Sequence, residues 1–130
     1  MATSFKSASG LKKVRGLGSA KSGVHHWWLQ RVTAAGNFVL GLWFALSLLL
    51  MPNLDHASVV AWIAQPLVAV PLMLLILSAF WHARLGIQVL IEDYVHAEGL
   101  KLISVLALNF FILGTGAVAL FSVARIAFGA

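Results

Sequence analysis

Four groups of side chains in this sequence have the type and spacing to do chemistry. The first is His82, which sits in a long apolar run with Ser78 one helical turn before it and Gly86 one turn after. On a helix these three share a face, and two small neighbours leave room beside the imidazole. A neutral imidazole is a standard axial ligand for haem iron, and a planar macrocycle fits such a face better than a leucine-flanked one. A plainer reading is that His82 hydrogen-bonds a neighbouring helix. The second group is Glu92-Asp93-Tyr94-Val95-His96. Asp93 lies eleven helical steps after His82, close to the same face, and Tyr94 is the only tyrosine in the chain. A phenol beside a carboxylate can donate a hydrogen bond to a quinone carbonyl and supply protons during its reduction. The alternative is a solvated helix end with an interfacial tyrosine.

The third group is His25-His26-Trp27-Trp28-Leu29-Gln30-Arg31. Arg31 matches a carboxylate such as a haem propionate in a bidentate way. Equally, Arg31 and the two histidines can contact lipid phosphates. Arg84, the fourth case, is two steps from His82 and therefore points to another side of the helix. Its choices are snorkelling to headgroups, a propionate, or a partner chain, and the residues alone leave these open.

These groups are positioned by elements that composition places in lipid. The 130 residues are 61% hydrophobic and only 10% charged, whereas a soluble domain carries about 25% charged residues. Too few charges are present to build a water-facing surface. The first apolar run, about Val32–Met51, contains no ionisable residue and stops at Pro52-Asn53. About 20 residues at 1.5 Å per residue span the hydrocarbon core of roughly 30 Å. Trp27 and Trp28 ahead of it suit an aromatic belt. The next run, Val59–Ile91, is too long for one upright span, and Pro66 and Pro71 divide it. The reading is an interfacial segment over 57–65 carrying Trp62, then a second span from Pro66 to about Ile91, with Pro71 as a kink point. A third span covers about Leu100–Phe128, with Gly114 and Gly116 as close-packing points. The expected fold is therefore all-α and integral to the membrane, with three transmembrane helices.

Residues 1–24 form a separate segment, rich in Ser, Gly and Lys. It has too little apolar area to offset ordering entropy and reads as a flexible basic tail ahead of a membrane domain at 25–130. Residues 1–31 hold Lys6, Lys12, Lys13, Arg15, Lys21 and Arg31 and no carboxylate, so against a net charge of +5 for the whole chain the remaining residues are nearly neutral. That excess favours a cytoplasmic N-terminus and attraction to anionic headgroups, with Arg125 the one dissenting charge near the outer end. No folded nucleic-acid reader is visible in the tail. It lacks the apolar core and cleavage site of a secretory signal. A short Lys-rich tail favours a bacterial cytoplasmic (inner) membrane; the alternative is a mitochondrial inner membrane, with the tail as a transit peptide. Cysteine is absent, which removes disulfides, thiol nucleophiles and iron–sulfur ligation from this chain.

One consequence follows for His82. The other histidines, His25, His26, His56 and His96, fall near interfaces. A bis-histidine haem would then draw its second ligand from another polypeptide.

The stretch His82-Ala-Arg-Leu-Gly86-Ile-Gln-Val-Leu-Ile-Glu-Asp93-Tyr94-Val-His96 resembles the signature of D-type membrane anchor subunits of succinate dehydrogenase, respiratory complex II. That signature is a His, a Gly four residues on, and Asp-Tyr eleven and twelve residues on. Gly23-Val-His25, Arg31 and Thr33-Ala34 resemble the family's entry into its first helix. The motifs cover residues 23–100, and the third span matches in length and hydropathy only. The resemblance implies a hetero-oligomeric helix bundle around haem b, with His82 as one axial ligand to the iron and a C-type anchor subunit supplying the other. It implies that Tyr94, supported by Asp93, contacts ubiquinone, and that Arg31 and more weakly His25 lie by the haem propionates. It leaves the roles of Arg84 and His26 open. FAD and iron–sulfur clusters would reside on a flavoprotein subunit and an iron–sulfur subunit, and this chain would carry no catalytic residue of its own. Two other classes compete: a cofactor-free small transporter subunit, and an assembly scaffold.

Overall fold

The computed structural model describes residues 23–129 and is helical throughout its regular structure. The basic tail expected over 1–24 lies outside the described residues up to position 22. Helix α1 is Gly23–Leu49, α2 is His56–Ile63, α3 is Pro66–Tyr94 and α4 is Glu98–Ala127. Three of these, α1, α3 and α4, are long and apolar enough to cross a membrane. At 27, 29 and 30 residues each is about 40 Å or more in length, enough to cross the hydrocarbon and enter the headgroup layers.

Helix α1 begins well upstream of the apolar run at Val32, so His25 through Arg31 are helical. A helix that leaves the hydrocarbon still satisfies its own backbone, and nothing in His-His-Trp-Trp-Leu-Gln-Arg breaks it. Pro66 occupies the first turn of α3, where a missing N–H costs nothing. The helix continues through Pro71. Short α2 starts at Asp55, whose carboxylate accepts the Ser58 backbone N–H at 3.0 Å and the Ser58 hydroxyl at 2.8 Å. That is a local N-cap, and further along the same helix Trp62 packs against Trp43 and Phe44 of α1, with ring centroids 6.1 and 6.2 Å apart.

Helix α3 is the centre of the molecule. It packs against both α1 and α4, whose backbones do not meet one another among the described residues. The pairings Gln30–His82 and Thr33–Ser78 make α1 and α3 antiparallel, and Arg84–Asn109 with Phe80–Gly116 does the same for α3 and α4. The start of α1, the end of α3 and the start of α4 therefore lie on one side. At the opposite end Ala69, Leu72 and Val123 are buried, with Phe44, Ile63, Met73, Ile76 and Ala127 packed around them. Few side chains are buried elsewhere, and many large apolar ones are exposed, including Phe38, Leu74, Phe110 and Phe121. Surface of that kind requires lipid or partner helices as its solvent.

Of the two expected packing glycines, only Gly116 serves within this chain. A Cβ there would meet the Phe80 ring at 3.6 Å, whereas one at Gly114 meets nothing within 4 Å. The two are about 200° apart around α4, so a single neighbouring helix cannot use both.

Candidate functional site

The polar side chains inside the spans are mostly satisfied by their own helix. Ser47, Thr115 and Ser122 donate to the carbonyls of Trp43, Phe111 and Val118, and Asn109 donates its amide to Val105. Such i−4 bonds remove the cost of a lone hydroxyl in hydrocarbon. The exceptions are Arg84 with Asn109, between α3 and α4, and a group between α1 and α3.

There His82 is half-buried against α1. Its Nδ1 lies 3.1 Å from the Thr33 hydroxyl, and its Nε2 is 3.5 Å from the Gln30 amide nitrogen, a long contact. Thr33 in turn donates to the Leu29 carbonyl at 2.8 Å, with the Gln30 carbonyl at 3.2 Å. Ser78, one turn before His82, donates to the Thr33 carbonyl at 3.3 Å. A Cβ at Gly36 would meet the Ser78 hydroxyl at 3.4 Å, and one at Gly86 would meet the Gln30 amide nitrogen at 3.5 Å. The small residues flanking His82 thus admit α1 to the space that their size opens beside the imidazole. The interface leaves two acceptors of α1 buried and unpaired, Gln30 Oε1 and Asn37 Oδ1. An orphan of this kind marks a contact incomplete within this chain.

Nearer the Tyr94 end, α1 and α3 diverge around a cavity of about 810 Å³ lined by His25, His26, Gln30, Arg84, Gln88 and Glu92. Its lining is more polar than that of the groove between α3 and α4. His25 reaches it; Arg31 does not line it. The Arg31 guanidinium instead lies over the Trp27 ring, 5.4 Å from its centroid, on the exposed side of α1. Asp93 and Tyr94 end α3, both exposed, and neither makes a hydrogen bond among the described residues. Eleven residues of continuous helix put them about 16 Å along α3 from His82. Glu92 accepts from Gln88 at 2.7 Å.

Arg84, whose role the residues left open, is turned towards α4. Its Nε donates to the Asn109 side-chain oxygen, and its guanidinium lies 5.2 Å from the Trp81 ring centroid. It also borders an apolar groove of about 460 Å³ between α3 and α4. Sequence reasoning singled out neither Asn109 nor Gln30 and Thr33 as partners of the two intramembrane cation and imidazole groups. The available signal was that each is a hydrogen-bonding side chain within or bordering an apolar run.

Among the described residues no cluster of three or more His, Cys, Asp or Glu side chains surrounds His82. The donor chemistry nevertheless suits a shared haem. One ring nitrogen is engaged by α1, and the other faces only a long contact from an amide whose oxygen is unpaired.

Fold and site together define a helical protein with three candidate membrane spans, large apolar faces left for lipid or partner helices, and, among the described residues, one imidazole well inside a span. Comparison with known proteins makes this specific. A family model described as succinate dehydrogenase/fumarate reductase transmembrane subunit matches residues 6–116, and the chain belongs to that family. It is 36% identical over 99 residues to the succinate dehydrogenase hydrophobic membrane anchor subunit of Rickettsia bellii (strain RML369-C), covering 76% of this chain and 79% of that one. With the corresponding subunit of Rickettsia conorii (strain ATCC VR-613 / Malish 7) it shares 37% over 90 residues, 68% of this chain and 71% of the relative. The succinate dehydrogenase membrane anchor subunit of Reclinomonas americana is 34% identical over 89 residues, 65% and 73% of the two chains.

Proposed function

We propose that this chain is the D-type membrane anchor of a succinate:ubiquinone oxidoreductase, holding one side of haem b and part of the ubiquinone site. The observation that carries the proposal, beyond family membership, is His82. It is the one histidine at bilayer depth among the described residues, and its Nε2 has no close partner. A bound b-type haem supplies one-electron redox chemistry at that depth. His82 would hold the haem iron through a ring nitrogen, with a C-type anchor subunit supplying the second protein ligand. His25 and Arg31, on the first and third turns of α1, would act at the propionates; Arg31 would leave its stack on Trp27 to do so.

At the Tyr94 end, the phenol donates a hydrogen bond to a ubiquinone carbonyl, with Asp93 beside it as proton relay. Two electrons and two protons convert the quinone to the quinol; the electrons would come from succinate oxidised on partner subunits, a flavoprotein that would hold FAD and an iron–sulfur subunit that would hold the clusters. The setting is a bacterial cytoplasmic membrane with the N-terminus in the cytoplasm.

The test is purification of the native assembly in mild detergent, with mass spectrometry of its subunits and an optical spectrum. The expected result is a flavoprotein companion and a b-type spectrum that His82→Ala abolishes. A colourless preparation without a flavoprotein overturns the proposal. A coloured one that His82→Ala leaves unchanged removes His82 from the site.

A further inference from the structure

We infer that the Thr33 hydroxyl is a positioning residue for His82: it holds the imidazole as the Nδ1–H tautomer, so that Nε2 is the nitrogen presented to iron. The inference rests on the reading of His82 as a haem ligand and adds a residue to it.

A hydroxyl has one proton. The Thr33 oxygen lies 2.8 Å from the Leu29 carbonyl oxygen, a separation that two oxygens tolerate only with a hydrogen between them. The Thr33 proton is therefore committed to its own helix, where the i−4 carbonyl is fixed by α1 itself. The second neighbour of that oxygen, His82 Nδ1 at 3.1 Å, must then be the donor. With its proton on Nδ1, the imidazole carries its lone pair on Nε2. The Gln30 side chain is consistent with this, because it turns its amide nitrogen, a donor, towards Nε2. The opposite amide orientation would set an oxygen lone pair against a nitrogen lone pair. Gln30 makes only a 3.5 Å contact there and leaves its oxygen unpaired, so it yields readily to a stronger Lewis acid. A ligating histidine commonly donates its other N–H to an acceptor, which fixes the ring and raises its basicity. Here the acceptor is a threonine on the neighbouring helix.

The intact complex would be purified with Thr33→Ser, Thr33→Val, Thr33→Ala and His82→Ala. Haem transfer to excess apomyoglobin and the haem midpoint potential would be measured for each. The expected result is haem loss roughly tenfold faster in the valine and alanine variants and a more positive potential, because a less basic imidazole stabilises ferric iron less. The serine variant should restore wild-type behaviour. If valine and alanine leave both readouts at the wild-type value, or if serine fails like valine, the role of Thr33 is overturned while that of His82 stands. Should valine prevent assembly, the smaller alanine gives the same reading. If His82→Ala itself keeps haem with an unchanged potential, the ligand assignment falls, and the inference with it.

Discussion

Arg84 of α3 donates its Nε proton to the side-chain oxygen of Asn109 on α4. Asn109 is oriented for this by its own helix, since its amide nitrogen is spent on the Val105 carbonyl at 2.9 Å. Trp81, on the same helix as Arg84, covers the guanidinium. A cation within a span is thereby held between an amide dipole and a ring face. Replacing Asn109 with Leu strands the guanidinium, and the expected cost is about 1–3 kcal/mol. In a double-mutant cycle, Arg84→Leu combined with Asn109→Leu should cost less than the sum of the two changes. Denaturant unfolding of the purified complex measures this, and strict additivity would show that the pair does not couple.

Gly116 and Gly114 make opposite predictions for the α3–α4 contact. A methyl at Gly116 would sit in ordinary van der Waals contact with Phe80, so Gly116→Ala should be tolerated and can gain about 0.5–1 kcal/mol of helix stability. Gly116→Leu overpacks the same contact at a cost of about 1–3 kcal/mol. Gly114→Leu points at no neighbour within the chain and should leave the α3–α4 packing unchanged. Cysteine crosslinking between α3 and α4 reports all three.

The cap of α2 carries a pH dependence outside the membrane spans. The backbone N–H of Ser58, and then its hydroxyl, hold the Asp55 carboxyl below its ordinary value of 3.8. A depressed carboxylate stabilises the fold fully above its unfolded-state pKa and loses that contribution as pH falls through the lower, folded value. Ser58 amide protection and the Trp62 fluorescence of the Trp43 stack should therefore weaken only in acid. Asp55→Asn, itself a good N-cap, should remove this dependence while keeping the helix. A pH response in that variant equal to the wild type would assign it to another group.

Tyr94→Phe removes the phenolic donor from the exposed end of α3 without touching packing. Succinate-dependent ubiquinone reduction should fall by roughly 10²-fold or more, as for loss of a general acid. Succinate oxidation with an artificial acceptor at the flavin should persist. Asp93→Asn should move the pH profile of quinone reduction rather than the flavin reaction. Equal loss of both activities in Tyr94→Phe would place the residue outside the quinone site.

Much of this protein follows from residue type and order alone. Uninterrupted apolar length dictates three crossing helices, because lipid tolerates only backbone that satisfies its own hydrogen bonds. Pro52-Asn53 and Pro66 punctuate the chain close to where α1 ends and α3 begins. The same linear pattern isolates one histidine at bilayer depth and sets Asp93-Tyr94 three turns further along its helix. Facing is a different matter. In a soluble helix the polar side announces itself, but α1, α3 and α4 are apolar nearly all round, and their periodicity carries little direction. Only the packed structure decides that Thr33 meets His82, that Arg84 turns to Asn109, that Gly116 and not Gly114 receives an aromatic ring, and that Arg31 lies on Trp27 away from the polar cavity. Those choices depend on which small residues allow two helices to approach, and that is a property of pairs of helices rather than of any one stretch of chain.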